Sequence, residues 1–180
     1  MEQSIMDGQS KEEIIQYIIS NYGEGIKRLI FSYVKNYSVT DDLFQEFLIK
    51  TYKSLDSFKN SEKAFKAWLY RIAINKCKDY LKSPLHRFHL LTEQWNVISS
   101  KSKTSEELLV EEERKQQVAH SILSLPVKYR EILVLRYYRD LSIKEISESL
   151  KLNESTVKTR IQRAKEKLRT KLGGKNLELL

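Results

Sequence analysis

The chain has 180 residues, 41% hydrophobic content and a formal net charge of +8, which is apolar mass enough for one ordinary domain or two small ones. Five glycines and two prolines are few for an all-β protein, whereas helix-forming Glu, Lys, Leu, Ile and Arg are abundant, so an all-α fold is expected. Cys77 is the lone cysteine, which excludes an intrachain disulfide; with no zinc-ligand set, no apolar run of membrane-spanning length and no signal-peptide pattern at the N-terminus, a cytoplasmic protein without metal, cofactor or membrane insertion is expected.

From Ile14 to Tyr37 apolar residues return every fourth position through Ile18, Tyr22, Ile26, Ile30 and Val34. Gly23 and Gly25 in the middle predict a break, hence two helices. Thr40 is placed to cap the next helix, with Asp41 and Asp42 in its first turn and an apolar face through Leu43, Phe47, Leu48, Tyr52 and Leu55, ending near Asp56. The polar stretch from Ser57 to Lys63 reads as a loop. Phe65, Trp68, Leu69, Ile72 and Ala73, continued from Lys76 to Leu81, trace another amphipathic helix that Pro84 stops. Residues 82–104 show no sustained period, are rich in serine and carry mild positive charge. That is linker composition, and it divides the chain into residues 1–82, a linker over 83–104, and residues 105–180.

Beyond the linker an acidic segment from Ser105 to Glu113 leads into Val118, Ile122 and Leu125. Pro126 then stands where a first helical turn tolerates proline, and a helix is expected from Val127 to about Tyr138. Ser142 and Glu145 have capping-box spacing and open a short helix through Leu150, after which Lys151, Leu152 and Asn153 turn the chain. In the last helix Val157, Ile161, Ala164 and Leu168 mark the packed edge. Lys158, Thr159, Gln162, Arg163 and Lys165 point elsewhere, a set that mixes phosphate binders with base readers, so something anionic should lie against it. Short helix, tight turn and longer basic helix make a helix-turn-helix.

The charge follows this organisation. Residues 151–175 hold nine Lys or Arg against Glu154 and Glu166, residues 50–78 hold eight against Asp56 and Glu62, and the remainder is net acidic. Two basic zones fit two contacts with nucleic acid, although a solvated face has the same composition. There is no glycine-rich phosphate loop, no nucleophile elbow and no metal-ligand motif, which argues against an independent enzyme; His86 and His89, three apart, lack further ligands.

Two motif blocks carry a family resemblance. The first is Asp41-Asp-Leu-Phe-Gln-Glu46 with Phe58, then Phe65-Lys-Ala-Trp-Leu-Tyr-Arg-Ile-Ala-Ile-Asn75 and Asp79-Tyr-Leu-Lys82, and it resembles sigma region 2. The second is Leu125-Pro-Val-Lys-Tyr-Arg-Glu131, Leu135-Arg-Tyr137, Leu141-Ser-Ile-Lys-Glu-Ile146 and Thr156-Val-Lys-Thr-Arg160 with Arg163 and Ala164, and it resembles region 4. In this order, separated by a linker and with no large insertion between them, they resemble an extracytoplasmic-function (ECF) sigma factor of bacterial RNA polymerase, in the sigma-70 family. Small departures are Ser147 where alanine is usual, Lys82 where arginine is commoner, and Gln162 at a variable position.

The resemblance implies roles residue by residue. Asp41, Asp42, Gln45 and Glu46 would dock on the clamp helices of the polymerase's largest subunit, although carboxylates near a helix start are favoured by the helix dipole in any protein. The flap of the second subunit is a further implied contact. Lys53, Lys59, Lys63 and Lys66 bracket a loop bordering a pocket for a base flipped from the melted minus-ten element, with Arg71, Asn75 and Lys78 as further strand contacts. Asn75 can equally bond solvent, and the spacing of Trp68 favours the core over base stacking. The recognition helix would enter the major groove N-terminus first, bringing Ser155, Lys158, Thr159, Gln162 and Arg163 to the minus-thirty-five element. Lys158 and Arg163 are the candidates for guanine and Gln162 for adenine, while Arg160, Lys165 and Ser155 are phosphate contacts. The linker would thread toward the polymerase active site and the RNA exit path, and an anti-sigma protein is the implied regulator. Two rival readings are a dimeric one-component regulator using only the helix-turn-helix, and an adaptor that has lost DNA binding, which the intact basic helix argues against.

Overall fold

A computed structural model of the chain describes residues 8–58, 62–84 and 116–173. Among them every regular element is helical, as the composition predicts. Three helices form the N-terminal half: α1 (Lys11–Val34), α2 (Tyr37–Ser54, continued by a 3₁₀ turn Leu55–Ser57) and α3 (Glu62–Lys82). Four form the C-terminal half: α4 over 116–123, α5 (Val127–Leu133, continued by a π-helical turn Val134–Tyr138), α6 (Ile143–Leu150) and α7 (Glu154–Lys171). None of the described helices is long and apolar enough to cross a membrane. The linker over 83–104 lies outside the described residues apart from Ser83 and Pro84, and so do His86 and His89.

The N-terminal half corrects three local expectations. Helix α1 runs unbroken through Gly23 and Gly25 for 24 residues. It begins at a complete Ser10/Glu13 capping box and ends with Lys35 in the left-handed region, φ 57°. A glycine inside a helix costs about 1 kcal/mol relative to alanine, and here both are buried for packing rather than for bending. A Cβ on Gly23 would stand 3.4 Å from the Phe44 ring, and one on Gly25 would overlap the guanidinium of Arg139. The cap of α2 is Asn36, whose side chain accepts from the Val39 N–H, while Thr40 is buried and donates its hydroxyl to the Asn36 carbonyl at 2.7 Å. The helix therefore starts three residues before Thr40, and Asp41 and Asp42 fall in its second turn, beyond the reach of the uncapped N–H groups that make a first-turn carboxylate favourable.

The core follows from these faces. Ile18, Ile26, Leu29 and Ile30 of α1 meet Phe47 of α2 and Leu69, Ala73, Ile74 and Cys77 of α3, all fully buried. In the C-terminal half Ile132, Leu133, Leu135, Leu141, Ile146, Val157, Ala164 and Leu168 do the same. Arg130 is buried beside them and donates to the carbonyls of Leu123 and Leu125 at 2.6 and 3.2 Å, tying the end of α4 to α5. The Ser142/Glu145 capping box opens α6 as predicted. Ser147, one of the departures from the family pattern, donates its hydroxyl to the Leu152 carbonyl at 2.5 Å and so fastens the turn between α6 and α7, where Lys151 is left-handed. The two halves are also packed on each other, α3 against α6 and α1 against α5.

Two substitutions separate packing from capping. Phe47→Ala should lower the unfolding free energy by about 3–5 kcal/mol and Ser142→Ala by about 1 kcal/mol, read from urea midpoints. The Cys77 thiol, pushed far above its ordinary range by burial, should resist iodoacetamide at pH 8 in the native chain and react once denaturant is added.

Candidate nucleic-acid interface

Helix α7 sets the site. Val157, Ala164 and Leu168 bury one edge against α5 and α6, which turns Ser155, Lys158, Thr159, Gln162 and Arg163 to solvent. Asn153 precedes the helix in extended conformation, φ −69° and ψ 145°, and its side chain makes no capping hydrogen bond. The first N–H groups of α7 thus face outward uncapped, the arrangement that favours a phosphate.

Beside that helix start lies an open pocket of about 360 Å³ lined by Lys128, Tyr129, Ser155, Thr156, Thr159, Arg160 and Arg163. It gathers four of the seven residues predicted on α7 and adds three that the pattern did not single out. Lys128 and Tyr129 come from the first turn of α5, about 30 positions upstream in the sequence, so no local spacing places them here. Lys128 also sits 5.2 Å above the Tyr129 ring and Lys167 5.6 Å from it, giving one aromatic face two cations.

Not every predicted contact is equally available. Arg160 is half-buried and reaches Glu131 at 3.4 Å. Glu131 is itself only 4% exposed and accepts a hydrogen bond from the Tyr33 hydroxyl of α1. Burial first, and then the Glu131 carboxylate, hold the Tyr33 phenol protonated well above its ordinary range, which keeps it a donor. Lys165 is drawn over the Tyr137 ring at 4.9 Å and does not line the pocket. Gln162 donates to Glu166 at 3.3 Å, a local contact that exposure makes easy to exchange.

The second predicted surface, on α3, is partly covered. Arg71 donates from Nε and Nη2 to the Glu148 carbonyl of α6, at 3.0 and 2.7 Å. Asn75 is exposed, and Lys66 and Lys78 are half-buried. Lys59 and the side chain of Lys63 lie outside the described residues, while Lys53 is exposed at the end of α2. Trp68 packs between Phe58 and Phe65, with ring centroids 4.8 and 5.7 Å away, as its spacing predicts.

On α2, Asp41, Asp42, Gln45 and Glu46 are all exposed. Asp41 pairs with Lys27 at 2.6 Å and Glu46 with Lys76 at 2.8 Å, leaving Asp42 and Gln45 as the open polar groups of the face. Ile49 stands among them, 55% exposed. It escaped the sequence reading because an isolated isoleucine beside an apolar stripe cannot be assigned to core or surface by period alone.

Two family models match the chain, one in each half. The family model described as Sigma-70 region 2 matches residues 18–84, and that described as Sigma-70, region 4 matches residues 115–168. The chain is similar to the ECF RNA polymerase sigma factor SigW of Bacillus subtilis, 34% identical with 86% of this chain and 87% of the relative covered. It is also similar to the RNA polymerase sigma factor SigV of the same organism, 31% identical over 94% and 97%, and to the ECF RNA polymerase sigma-E factor of Escherichia coli, 31% identical over 89% and 87%. Among solved structures the fold is similar to that of the sigma factor RpoE of Bartonella quintana, solved in complex with the anti-sigma factor NepR, with TM-score 0.67, 20% identity and coverage of 92% and 99%. It is likewise similar to CnrH in complex with the cytosolic domain of CnrY, with TM-score 0.65, 24% identity and coverage of 96% and 94%.

The pocket makes Lys128 a test of the interface. Lys128→Ala should weaken binding to duplex DNA uniformly across sequences and reduce the slope of log K against log[salt] by about 0.9, the amount expected for one lost phosphate contact. An unchanged slope in a salt titration would remove Lys128 from the interface.

Proposed function

The chain belongs to the ECF sigma factors of the sigma-70 family, and from that premise we propose that it binds core RNA polymerase and directs initiation at promoters whose two elements are read by its two halves. Residues 1–82 and 105–180 act as separable units joined by the linker over 83–104. The reaction itself belongs to the polymerase; this chain supplies recognition and strand opening.

The observation that carries the proposal is the exposed basic face of α7 beside the pocket at its N-terminus. A helix that packs along one edge and presents Ser155, Lys158, Thr159, Gln162 and Arg163 has the width and chemistry to enter a major groove. Arg163 and Lys158 pair with guanine at the minus-thirty-five element and Gln162 with adenine. Lys128, Ser155, Thr156 and Arg160 hold phosphate around the helix start, a role the uncapped N–H groups support. Lys165, outside the pocket, stays with the backbone.

On α3, Lys66, Arg71, Asn75 and Lys78, with Lys59 and Lys63 of the preceding loop, hold the unpaired minus-ten strand. Asp42, Gln45 and the Asp41 and Glu46 pairs surround Ile49 on α2, an apolar centre with a polar rim that fits the clamp helices of the largest subunit. The C-terminal half meets the flap of the second. An anti-sigma protein competing for these surfaces is the expected regulator, the kind of partner with which the RpoE structure was solved.

Run-off transcription with purified chain and core polymerase on promoter fragments tests the reading. Specific initiation is expected with the wild type. Arg163→Ala should reduce promoter affinity by about 1–3 kcal/mol, roughly 5- to 150-fold, if it makes a bidentate base contact. Ile49→Glu should weaken core binding by about 2 kcal/mol or more without altering duplex binding. No association with core would favour the stand-alone regulator instead.

A further inference from the structure

Two tyrosines of one element carry lysines of the recognition helix. Tyr129 lies in the first turn of α5, and Tyr137 lies in the π-helical turn that continues it. Helix α5 packs along α7. Lys165 Nζ of α7 stands 4.9 Å from the Tyr137 ring centroid and Lys167 Nζ 5.6 Å from that of Tyr129, which also takes Lys128 at 5.2 Å. All three distances are within the range over which an aromatic face attracts a cation. Tyr129 is 8% exposed, so its ring is fixed by the core and does not follow the lysines.

This seating differs from an ion pair in what it leaves available. Lys27 and Lys76 in the N-terminal half spend their charge on Asp41 and Glu46. A ring holds an ammonium in place without neutralising it, and N–H groups turned away from the ring can still donate to an anion. Among the described residues neither Lys165 nor Lys167 enters an ion pair. A lysine stem is flexible, and its freedom is lost on meeting a ligand; the ring takes part of that loss in advance. Residues two positions apart on an α-helix leave it about 200° apart, so Lys165 and Lys167 stand on opposite sides of the buried edge of Ala164 and Leu168. A helix with its side chains is about 10–12 Å across and the major groove is about 12 Å wide. Both flanks of an inserted helix therefore face sugar–phosphate backbone, one strand on each. Long helical side chains lean toward the helix start, the end that enters the groove first.

We propose that Tyr129 and Tyr137 are positioning residues that seat Lys167 and Lys165 against the two phosphate walls of the groove, so that α7 is gripped from both sides. The proposal rests on the DNA-reading function above and adds to it the two rings and Lys167, which does not line the pocket.

Salt titration of duplex binding by the full chain, on a promoter fragment and on a random-sequence duplex, separates the parts. Lys165→Ala and Lys167→Ala should each lower the slope of log K against log[salt] by about 0.9, a loss of affinity about 3.5-fold larger at 50 mM than at 200 mM salt, on both duplexes alike. Tyr129→Leu should then remove about half or more of the effect of Lys167→Ala and leave that of Lys165→Ala intact, and Tyr137→Leu should do the reverse, each coupling read from a double-mutant cycle. Tyr129→Phe and Tyr137→Phe keep an aromatic face and should behave as wild type. A general loss of fold would weaken both lysine effects together, so a merely structural role does not produce the pairing of each ring with its own lysine. Unchanged slopes for the lysine variants, lysine effects that are the same in every background, a leucine variant that abolishes both lysine effects, or absence of duplex binding by the wild type would each overturn the proposal. Initiation with core polymerase is measured in parallel. Absence of transcription, with the slopes and pairings as expected, would instead count against the promoter-directed function and leave the grip standing.

Discussion

A single buried carboxylate joins the parts of this molecule that matter most. Glu131 has almost no contact with solvent and sits between the hydroxyl of Tyr33 in α1 and the guanidinium of Arg160 in α7. An ionised group in that position is strongly unfavourable without donors. One of its two donors belongs to the N-terminal half and the other to the recognition helix. The packing of the halves and the set of the helix proposed to read DNA thus meet at one side chain.

What the sequence disclosed was whatever depends on neighbours a few positions apart. The stripe Val157, Ile161, Ala164 and Leu168, of which Ile161 is half-buried, the Ser142/Glu145 capping box and the packing of Trp68 against Phe58 and Phe65 are local patterns that the structure contains. The misplaced features share a different origin. Gly23 and Gly25 look like a break because glycine disfavours helix, but a helix packed on two sides has tertiary support greater than that local cost. Thr40 looks like a cap because threonine caps well, yet Asn36 caps better and stands one turn earlier. Ser147, Lys128 and Arg139 carried no local signal, since Ser147 bonds five residues on, Lys128 meets α7 about thirty residues on, and Arg139 reaches Tyr70, 69 residues back.

The N-terminal half shows the same division between pattern and partner. Asp41 and Glu46 are conspicuous in sequence as acids on one helix face, but in the fold each already holds a lysine, Lys27 and Lys76. Exposed pairs of this sort contribute little to stability, typically below about 1 kcal/mol, and Asp42 beside them has no such partner among the described residues.

Gly25 gathers these threads. Its cost to helix stability is fixed by the backbone and is incurred whether or not the halves meet, whereas its benefit, space for the Arg139 guanidinium against Tyr70, exists only when they do. An alanine there would make α1 more stable and push the Arg139 guanidinium aside. The atoms nearest to a Cβ at this position belong to the Arg139 side chain, so the reason for glycine here lies in the other half. The polar contacts of the junction are set in an apolar surround, because one buried cluster runs through both halves.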